Sequence, residues 1–354
     1  MPVHVVVPHG IDDPARPSGG NAYDRNVCRE LAASGWSVSE HAVAGSWPRP
    51  GTTGYDKLGE VVRRIPDDSV VLLDGLIAST AADVLVPEAR RLRLVVLVHM
   101  PLGDAHAEAG DDDARTREGA VLACAAAVVT TSEWTRRRLL ELYPLRPGRV
   151  HVATPAVEAA ELAAGTPGGG ALICVGAVTT GKGQDLLLTA LAAIAELPWR
   201  CELVGSLERE PEFAEELRGH CERSGLRGRI AFTGPRSGAD LARCYAAADL
   251  LVLPSRAETY GMVVTEALAR GLPVVAAEVG GVPEALGHGA DGCRPGVLVP
   301  PDDPAALAGV LRSWLRDADL RLRLRGVARQ RRESLAPWSA TAAVVAGVLA
   351  GAAR

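Results

Sequence analysis

The sequence has no excess of positive charge: 38 Lys/Arg stand against 43 Asp/Glu in 354 residues. Residues 1–165 hold 17 of the basic and 22 of the acidic groups, and the remainder holds 21 of each. Neither half presents a basic field, which argues against nucleic acid as the main partner. Arg136-Arg137-Arg138 and the Arg-rich stretch 321–332 read as solvated helix faces. No apolar run approaches the roughly 20 residues that span a bilayer. The first apolar run, Val3–Val7, is not preceded by a charged leader or a cleavage site. Seven Cys are dispersed at 28, 124, 174, 201, 221, 244 and 293, without CxxC or Cys/His spacing, as in reduced cytosolic thiols. A cytoplasmic protein with no integral membrane contact is expected. The dinucleotide fingerprint G-x-G-x-x-G is missing, and no segment reads as an Asp-x-Asp metal site. Neither a resident cofactor nor a metal is expected. Phe occurs only twice while Ala, Arg and Gly abound, a bias of base composition rather than function.

What is present is an alternation of short apolar runs with longer helical patterns. Val3–Val7 leads through Gly19-Gly20 into a helix near Ala22–Ser34. Val70–Leu73, Leu94–Val98 and Ala127–Thr130 read as buried strands, and Thr131-Ser132-Glu133 caps a helix over Trp134–Leu142. Strands apolar throughout belong to parallel sheets covered on both faces. Thr166-Pro167-Gly168-Gly169-Gly170 interrupts the pattern and is the expected linker. The alternation then restarts with strand Leu172–Val175, glycine turn Gly176–Gly183 and helix Asp185–Ile194. Further strands follow at Cys201–Val204, Arg229–Phe232, Leu250–Leu253, Pro273–Ala276 and Gly296–Val299. Two α/β domains are expected, at 1–165 and 166–335. A small-residue helix in 336–354 is expected to return to the first domain. Open parallel sheets bind ligands at the carboxyl ends of their strands.

The stretch Leu250–Glu284 is the richest in chemistry. A buried strand ends at Pro254-Ser255, Glu258 lies in a polar loop, and Gly261 precedes a helix bearing Glu266. A helix start offers free N–H groups and partial positive charge to an anion. Two carboxylates placed before and on that helix suit hydrogen bonds to hydroxyls on different parts of one extended ligand. Upstream, Lys182 stands in the glycine turn after a strand, a mobile cation at the carboxyl end of the sheet. Gly19-Gly20, ahead of the first helix, lets a ligand approach backbone N–H groups. His99 ends the run Leu94–Val98 and faces the carboxyl end of its sheet.

The spacing of Glu258 and Glu266, with Thr259-Tyr260-Gly261-Met262-Val263 between, resembles the E-x7-E motif of the family 4 retaining glycosyltransferases. Ala248-Asp249, Gly271-Leu272-Pro273-Val274-Val275, Gly280-Gly281-Val282-Pro283-Glu284 and Gly296-Val297-Leu298-Val299-Pro300 are similar to that family as well. The likeness covers Ile173 to about Pro304 well and the first domain more loosely.

The resemblance implies the GT-B fold: two facing Rossmann-like parallel-sheet domains with an interdomain cleft. It implies a retaining, metal-independent transfer of a sugar from a nucleotide diphosphate, by default a UDP-sugar, to an acceptor hydroxyl. His99, Lys182 and Glu258 would be the catalytic groups. Gly19, Gly20, Arg236, Tyr260, Gly261, Met262, Val263 and Glu266 would bind the donor, with Glu266 on the ribose. The family's Gly-Arg reads Gly176-Ala177 here, so one phosphate-facing cation is missing or comes from Arg236 or Arg16. The family's Pro-Asn-Gly-Val-Asp reads Ala153-Thr154-Pro155-Ala156-Val157-Glu158. A small soluble acceptor is expected over a lipid or protein. Gly103–Glu118, with His106 and Asp111-Asp112-Asp113, reads as a solvated acidic loop or an acceptor-side loop. The alternatives are an epimerase or hydrolase of the same fold, which would turn over donor without acceptor, and a non-catalytic nucleotide-sugar-binding subunit.

Overall fold

The computed structural model describes residues 1–105 and 112–354. His106 and Asp111 lie outside the described residues. In chain order the elements begin β1 (Pro2–Pro8), α1 (Gly19–Ala33), β2 (Ser37–Val43), α2 (Gly51–Arg63), β3 (Val70–Asp74), α3 (Gly75–Ala78) and α4 (Ala82–Glu88). They continue with β4 (Arg93–Val98), α5 (Leu102–Ala105), α6 (Asp112–Cys124), β5 (Ala127–Thr130), α7 (Glu133–Leu142) and β6 (Val150–Val152). The next set is β7 (Ala171–Val175), α8 (Gln184–Ala192), β8 (Arg200–Val204), α9 (Pro211–Arg223), β9 (Ile230–Gly234), α10 (Gly238–Ala246) and β10 (Leu250–Leu253). The chain closes with α11 (Met262–Leu268), β11 (Val274–Ala277), α12 (Val282–Leu286), β12 (Gly296–Val299), α13 (Pro304–Arg316), α14 (Ala318–Glu333) and α15 (Trp338–Ala352).

The contacts divide the chain into two compact units. One comprises Met1–Asp12, Gly20–Pro155 and Trp338–Arg354; the other comprises Asp13–Gly19 and Ala156–Pro337. Each holds a six-stranded parallel sheet.

In the first unit the strand order is β2-β1-β3-β4-β5-β6. The order reverses between β1 and β3, which is where a doubly wound sheet opens a crevice at its carboxyl edge. The inner strands β3 and β5 are buried at every position because helices cover both faces. Val71, Leu73, Leu94, Val96 and Val98 pack with Leu58, Leu85 and Leu139 into one core. The edge strand β2, Ser-Val-Ser-Glu-His-Ala-Val, buries only Val43 fully. Its polar composition hides it from a reading that looks for apolar runs. Helix α15 completes this unit: Trp338, Ala342, Val345 and Leu349 are buried, Thr341 Oγ1 donates to Thr154 O at 2.7 Å, and the Trp338 ring meets Tyr23 edge-on at 5.5 Å.

In the second unit the order is β12-β11-β10-β7-β8-β9, and the reversal falls between β7 and β10. Cores lie on each side of the sheet, one around Leu187, Leu191, Leu311 and Trp314, the other around Tyr245, Val264, Leu268 and Leu286. The glycine stretch Thr166–Gly170 is fastened to this unit. The Thr166 amide and hydroxyl donate to Asp249 at 2.5 and 2.6 Å, the Ala171 amide does so at 2.8 Å, and Trp314 Nε1 donates to Gly169 O at 2.7 Å. Asp249 is wholly buried and also receives Arg325 at 2.7 Å. Strand β11 begins at Val274, which pairs with Leu251, and Pro273 contributes its carbonyl, accepting the Leu251 amide at 3.1 Å.

Candidate functional site

In the second unit the chemistry gathers at the carboxyl ends of the two strands that flank the reversal. After β7 the chain makes a turn over Thr180–Lys182 and enters α8 through Gly183, whose φ is 66°. A Cβ on Gly183 would lie 2.2 Å from Pro254 O, so only glycine lets this turn lie against the loop after β10. That closeness brings Lys182 Nζ to 2.5 Å from Glu258 Oε1, and the Ser255 hydroxyl donates to the same oxygen at 3.0 Å.

Arg256 ties the two loops together. It grips Asp185 with two hydrogen bonds of 2.9 and 2.7 Å, and it donates to Thr180 O at 2.6 Å and to Asp302 at 2.8 Å. Its own amide donates to Gly181 O at 2.9 Å. Burial raises the Asp185 carboxyl, but the Arg256 guanidinium outweighs it and holds the pKa below the usual value.

Gly280 and Gly281 support Glu258 from below. Their Cβ atoms would fall 1.7 Å from Glu258 O and 2.2 Å from Thr259 O, and the Gly281 amide donates to Glu258 O at 3.0 Å. The Gly-Gly pair thus presses against the backbone of the acidic loop. Gly261 caps α11 with φ 90° and ψ 62°, and no atom lies closer than 3.5 Å to its would-be Cβ. Conformation, not space, selects glycine there. The amides of Met262 and Val263 open the helix without intrahelical partners. Tyr260 is buried, which pushes its hydroxyl up to about 12.

Glu266 is a separate feature. Its Oε2 accepts a hydrogen bond of 2.8 Å from Tyr245 on α10, and Arg270 lies over the Tyr245 ring at 4.7 Å while donating to Glu266 O at 2.8 Å. Burial raises the Glu266 pKa above the ordinary range, against the opposing pull of Tyr245 and Arg270. The structure therefore joins Lys182 to Glu258, and gives Glu266 its own partners. Arg236 is exposed in the turn after β9 and forms no ion pair with this group among the described residues. Ala177 offers only backbone here, accepting from Gln184 Nε2 at 3.0 Å. A Cβ on Gly19 would sit 3.3 Å from Met262 Sδ.

In the first unit His99 follows the last residue of β4. A Cβ on Gly20 would lie 3.3 Å from its ring, so the glycine lets α1 begin against the imidazole. His99 Nε2 lies 2.7 Å from Asp24 Oδ1 and 3.9 Å from Asp74 Oδ2, and the Tyr23 ring stands edge-on at 5.3 Å. Asp24 and Asp74 are both buried and were not among the sequence-derived candidates. The signal for Asp74 was available: an acid ends the apolar run Val70–Leu73, as His99 ends its own.

Residues 169–317 match the family model of glycosyl transferases group 1. This stretch is a glycosyl transferases group 1 domain. D-inositol 3-phosphate glycosyltransferase of Jonesia denitrificans is 33% identical over 245 residues, covering 64% of this chain and 57% of the relative. D-inositol 3-phosphate glycosyltransferase 2 of Catenulispora acidiphila is 34% identical, covering 68% and 60%. The chain thus spans less than two thirds of the length of these relatives. Among solved structures, sucrose-phosphate synthase of Thermosynechococcus elongatus superposes with a TM-score of 0.81 at 23% identity, over 99% of this chain and 98% of that one. HepE of Anabaena in complex with UDP and glucose gives 0.78 at 19%, over 99% and 100%. The fold is GT-B, built of two Rossmann-like domains. No single helix among the described residues is long and apolar enough to cross a membrane.

Proposed function

We propose that the protein is a retaining, metal-independent glycosyltransferase that moves a sugar from a nucleoside diphosphate to a hydroxyl of a small acceptor. The observation that carries this is the Lys182–Glu258 pair, 2.5 Å apart at the strand reversal inside the domain that matches the family. A cation paired with Glu258, four residues ahead of the opening amides of α11, suits a diphosphate, whose departure builds negative charge that Lys182 and those amides would meet. Glu258 would bind hydroxyls of the donor sugar, and Glu266 those of the ribose. In this reading the bond from the anomeric carbon to the diphosphate oxygen breaks as the acceptor oxygen bonds to the same face. The departing phosphate oxygen takes the acceptor's proton, so no protein nucleophile is required.

UDP-glucose is the first donor to try, since HepE was solved with UDP and glucose. Phosphorylated cyclitols are the first acceptors, after the name shared by the relatives. The deciding experiment is a thermal-shift panel of nucleoside diphosphates and nucleotide sugars, followed by transfer assays. At about 100 times Kd a true ligand should add roughly 2.7 kcal/mol. Donor consumption only in the presence of acceptor supports the reading. Donor hydrolysis at equal rate without acceptor, or no shift with any nucleotide, refutes it.

A further inference from the structure

Two carboxylates and an imidazole meet inside the first unit at its own strand reversal. Asp74 ends β3 and caps α3, its Oδ1 accepting the Leu76 amide at 2.6 Å. Asp24 comes from the second turn of α1. The ligating atoms of Asp24, Asp74 and His99 all lie within 4.8 Å of one another. Asp24 gives Oδ1 to His99, while its Oδ2 is sealed from solvent with no hydrogen-bond partner.

Tetrahedral zinc does not fit the spacing. Two ligand atoms about 2.0 Å from one tetrahedral zinc stand about 3.3 Å apart, whereas His99 Nε2 and Asp24 Oδ1 are 2.7 Å apart, a hydrogen-bond length. A proton therefore lies between them. His99 Nδ1 has no protein partner among the described residues and is not sealed from solvent.

We infer that Asp24 is a positioning residue that holds His99 through Nε2–H and so turns Nδ1 outward toward a substrate oxygen. This rests on the glycosyltransferase reading only for the nature of the oxygen, a sugar hydroxyl or a phosphoryl group. The charges support it. Burial opposes a charged His99, but the Asp24 carboxylate, by its charge and its hydrogen bond, raises the pKa above the usual value. Burial first and the charge of Asp24 second raise Asp74, which makes Asp74 the acid that keeps its proton. The titratable groups facing the ring are Asp24 and Tyr23 from α1 and Asp74 from β3. Helix α15 reaches this corner through Trp338, which is uncharged.

The test needs no substrate. Ring 15N signals of the eight His are followed by pH titration of the whole chain, with His99 assigned by loss of its signal in His99→Gln. In the wild type His99 should titrate above the normal histidine range with Nε2 protonated throughout. Asp24→Asn should lower that pKa by at least one unit, a tenfold change in proton affinity, and Asp74→Asn should leave it nearly unchanged. A normal His99 pKa in the wild type, or the reverse ranking of the two variants, overturns the inference. A shift of the ring signals on chelation by EDTA also overturns it, because it would put a cation where the proton is placed. The wild-type titration decides the matter even if a variant fails to fold. Transfer assays then follow the alkaline limb of kcat, where His99 loses its Nδ1 proton; that limb should move to lower pH in Asp24→Asn and hold in Asp74→Asn. An intact titration with no turnover of any nucleotide sugar would remove the functional reading and leave the imidazole arrangement standing.

Discussion

Lys182 and Glu258 neutralise each other: the ammonium and the carboxylate lie 2.5 Å apart, with Glu258 the more enclosed at 11% exposure against 33%. The cation proposed for the leaving diphosphate is thus already committed to an internal partner. A diphosphate has to compete with Glu258 or share the lysine with it.

That competition has a measurable sign. Glu258→Gln keeps the shape and removes the charge, leaving Lys182 available to an anion. Partly exposed ion pairs contribute about 0.2–1 kcal/mol, so UDP should bind up to about fivefold tighter while turnover falls. Lys182→Ala should reduce kcat by about a hundredfold, the scale of one electrostatic stabiliser. Calorimetric titration of both variants with UDP, beside steady-state rates, reads this out. Equal loss of UDP affinity in both would show that Glu258 does not restrain the lysine.

Gly280 and Gly281 should resist even the smallest enlargement. The Cβ of alanine would fall 1.7 or 2.2 Å from carbonyl oxygens of Glu258 and Thr259, and Gly280 has φ 51° besides. Either substitution must push the acidic loop away from the Lys182 turn. Overpacking costs typically about 1–3 kcal/mol, and activity should fall further than stability does. Gly309→Ala, where nothing lies within 4 Å of the Cβ, is the control. Unchanged kcat in Gly281→Ala would mean that the loop position does not matter.

The sequence disclosed the parallel strands because burial on both faces leaves β10 and β11 wholly aliphatic, and β3 and β5 aliphatic up to their last residues, Asp74 and Thr130. It concealed β2, where an edge position tolerates Ser, Glu and His. In the candidate site, the glycines and acids of 258–284 were legible because local backbone geometry demands them in sequence. The partners were not. Tyr245 reaches Glu266 from another helix, and Asp24 and His99 meet across 75 positions. Ala248-Asp249 was legible only as a likeness, whereas its physical reason is long-range: Asp249 fastens Thr166 and Ala171 from 83 and 78 positions away.

Asp249 should therefore be a stability determinant rather than a functional one. Asp249→Ala leaves the Thr166 amide and hydroxyl, the Ala171 amide and Arg325 without their acceptor. Breaking a buried pair by removing one partner costs about 3–5 kcal/mol. For a domain of this size that lowers Tm by roughly 6 °C or more. Thermal unfolding with and without UDP checks it: Tm should drop in both conditions, and the ligand-induced increment should persist while the domain is folded. A loss of the increment with Tm unchanged would reassign Asp249 to binding.

The Tyr245–Glu266 contact carries a pH dependence whose direction is fixed by its parts. Burial raises the Glu266 pKa, and the Tyr245 hydroxyl and Arg270 hold the rise in check. Removing the hydroxyl in Tyr245→Phe should raise it further. The Tyr245 hydroxyl donates to the ionised carboxylate and favours it, so its removal moves the pKa upward. A carboxyl raised in the fold favours the folded state while protonated. Its contribution is complete below the unfolded pKa and is lost as pH rises through the folded pKa. Tyr245→Phe should extend that loss to higher pH and be less stable than the wild type at neutral pH. Ribose binding runs the other way, because it needs the ionised acceptor. UDP affinity should be flat at high pH, fall as pH drops through the folded pKa, and begin to fall at a higher pH in Tyr245→Phe. Calorimetry with UDP from pH 5 to pH 8 compares the curves. If the two profiles superimpose, Glu266 is not the group that meets the ribose.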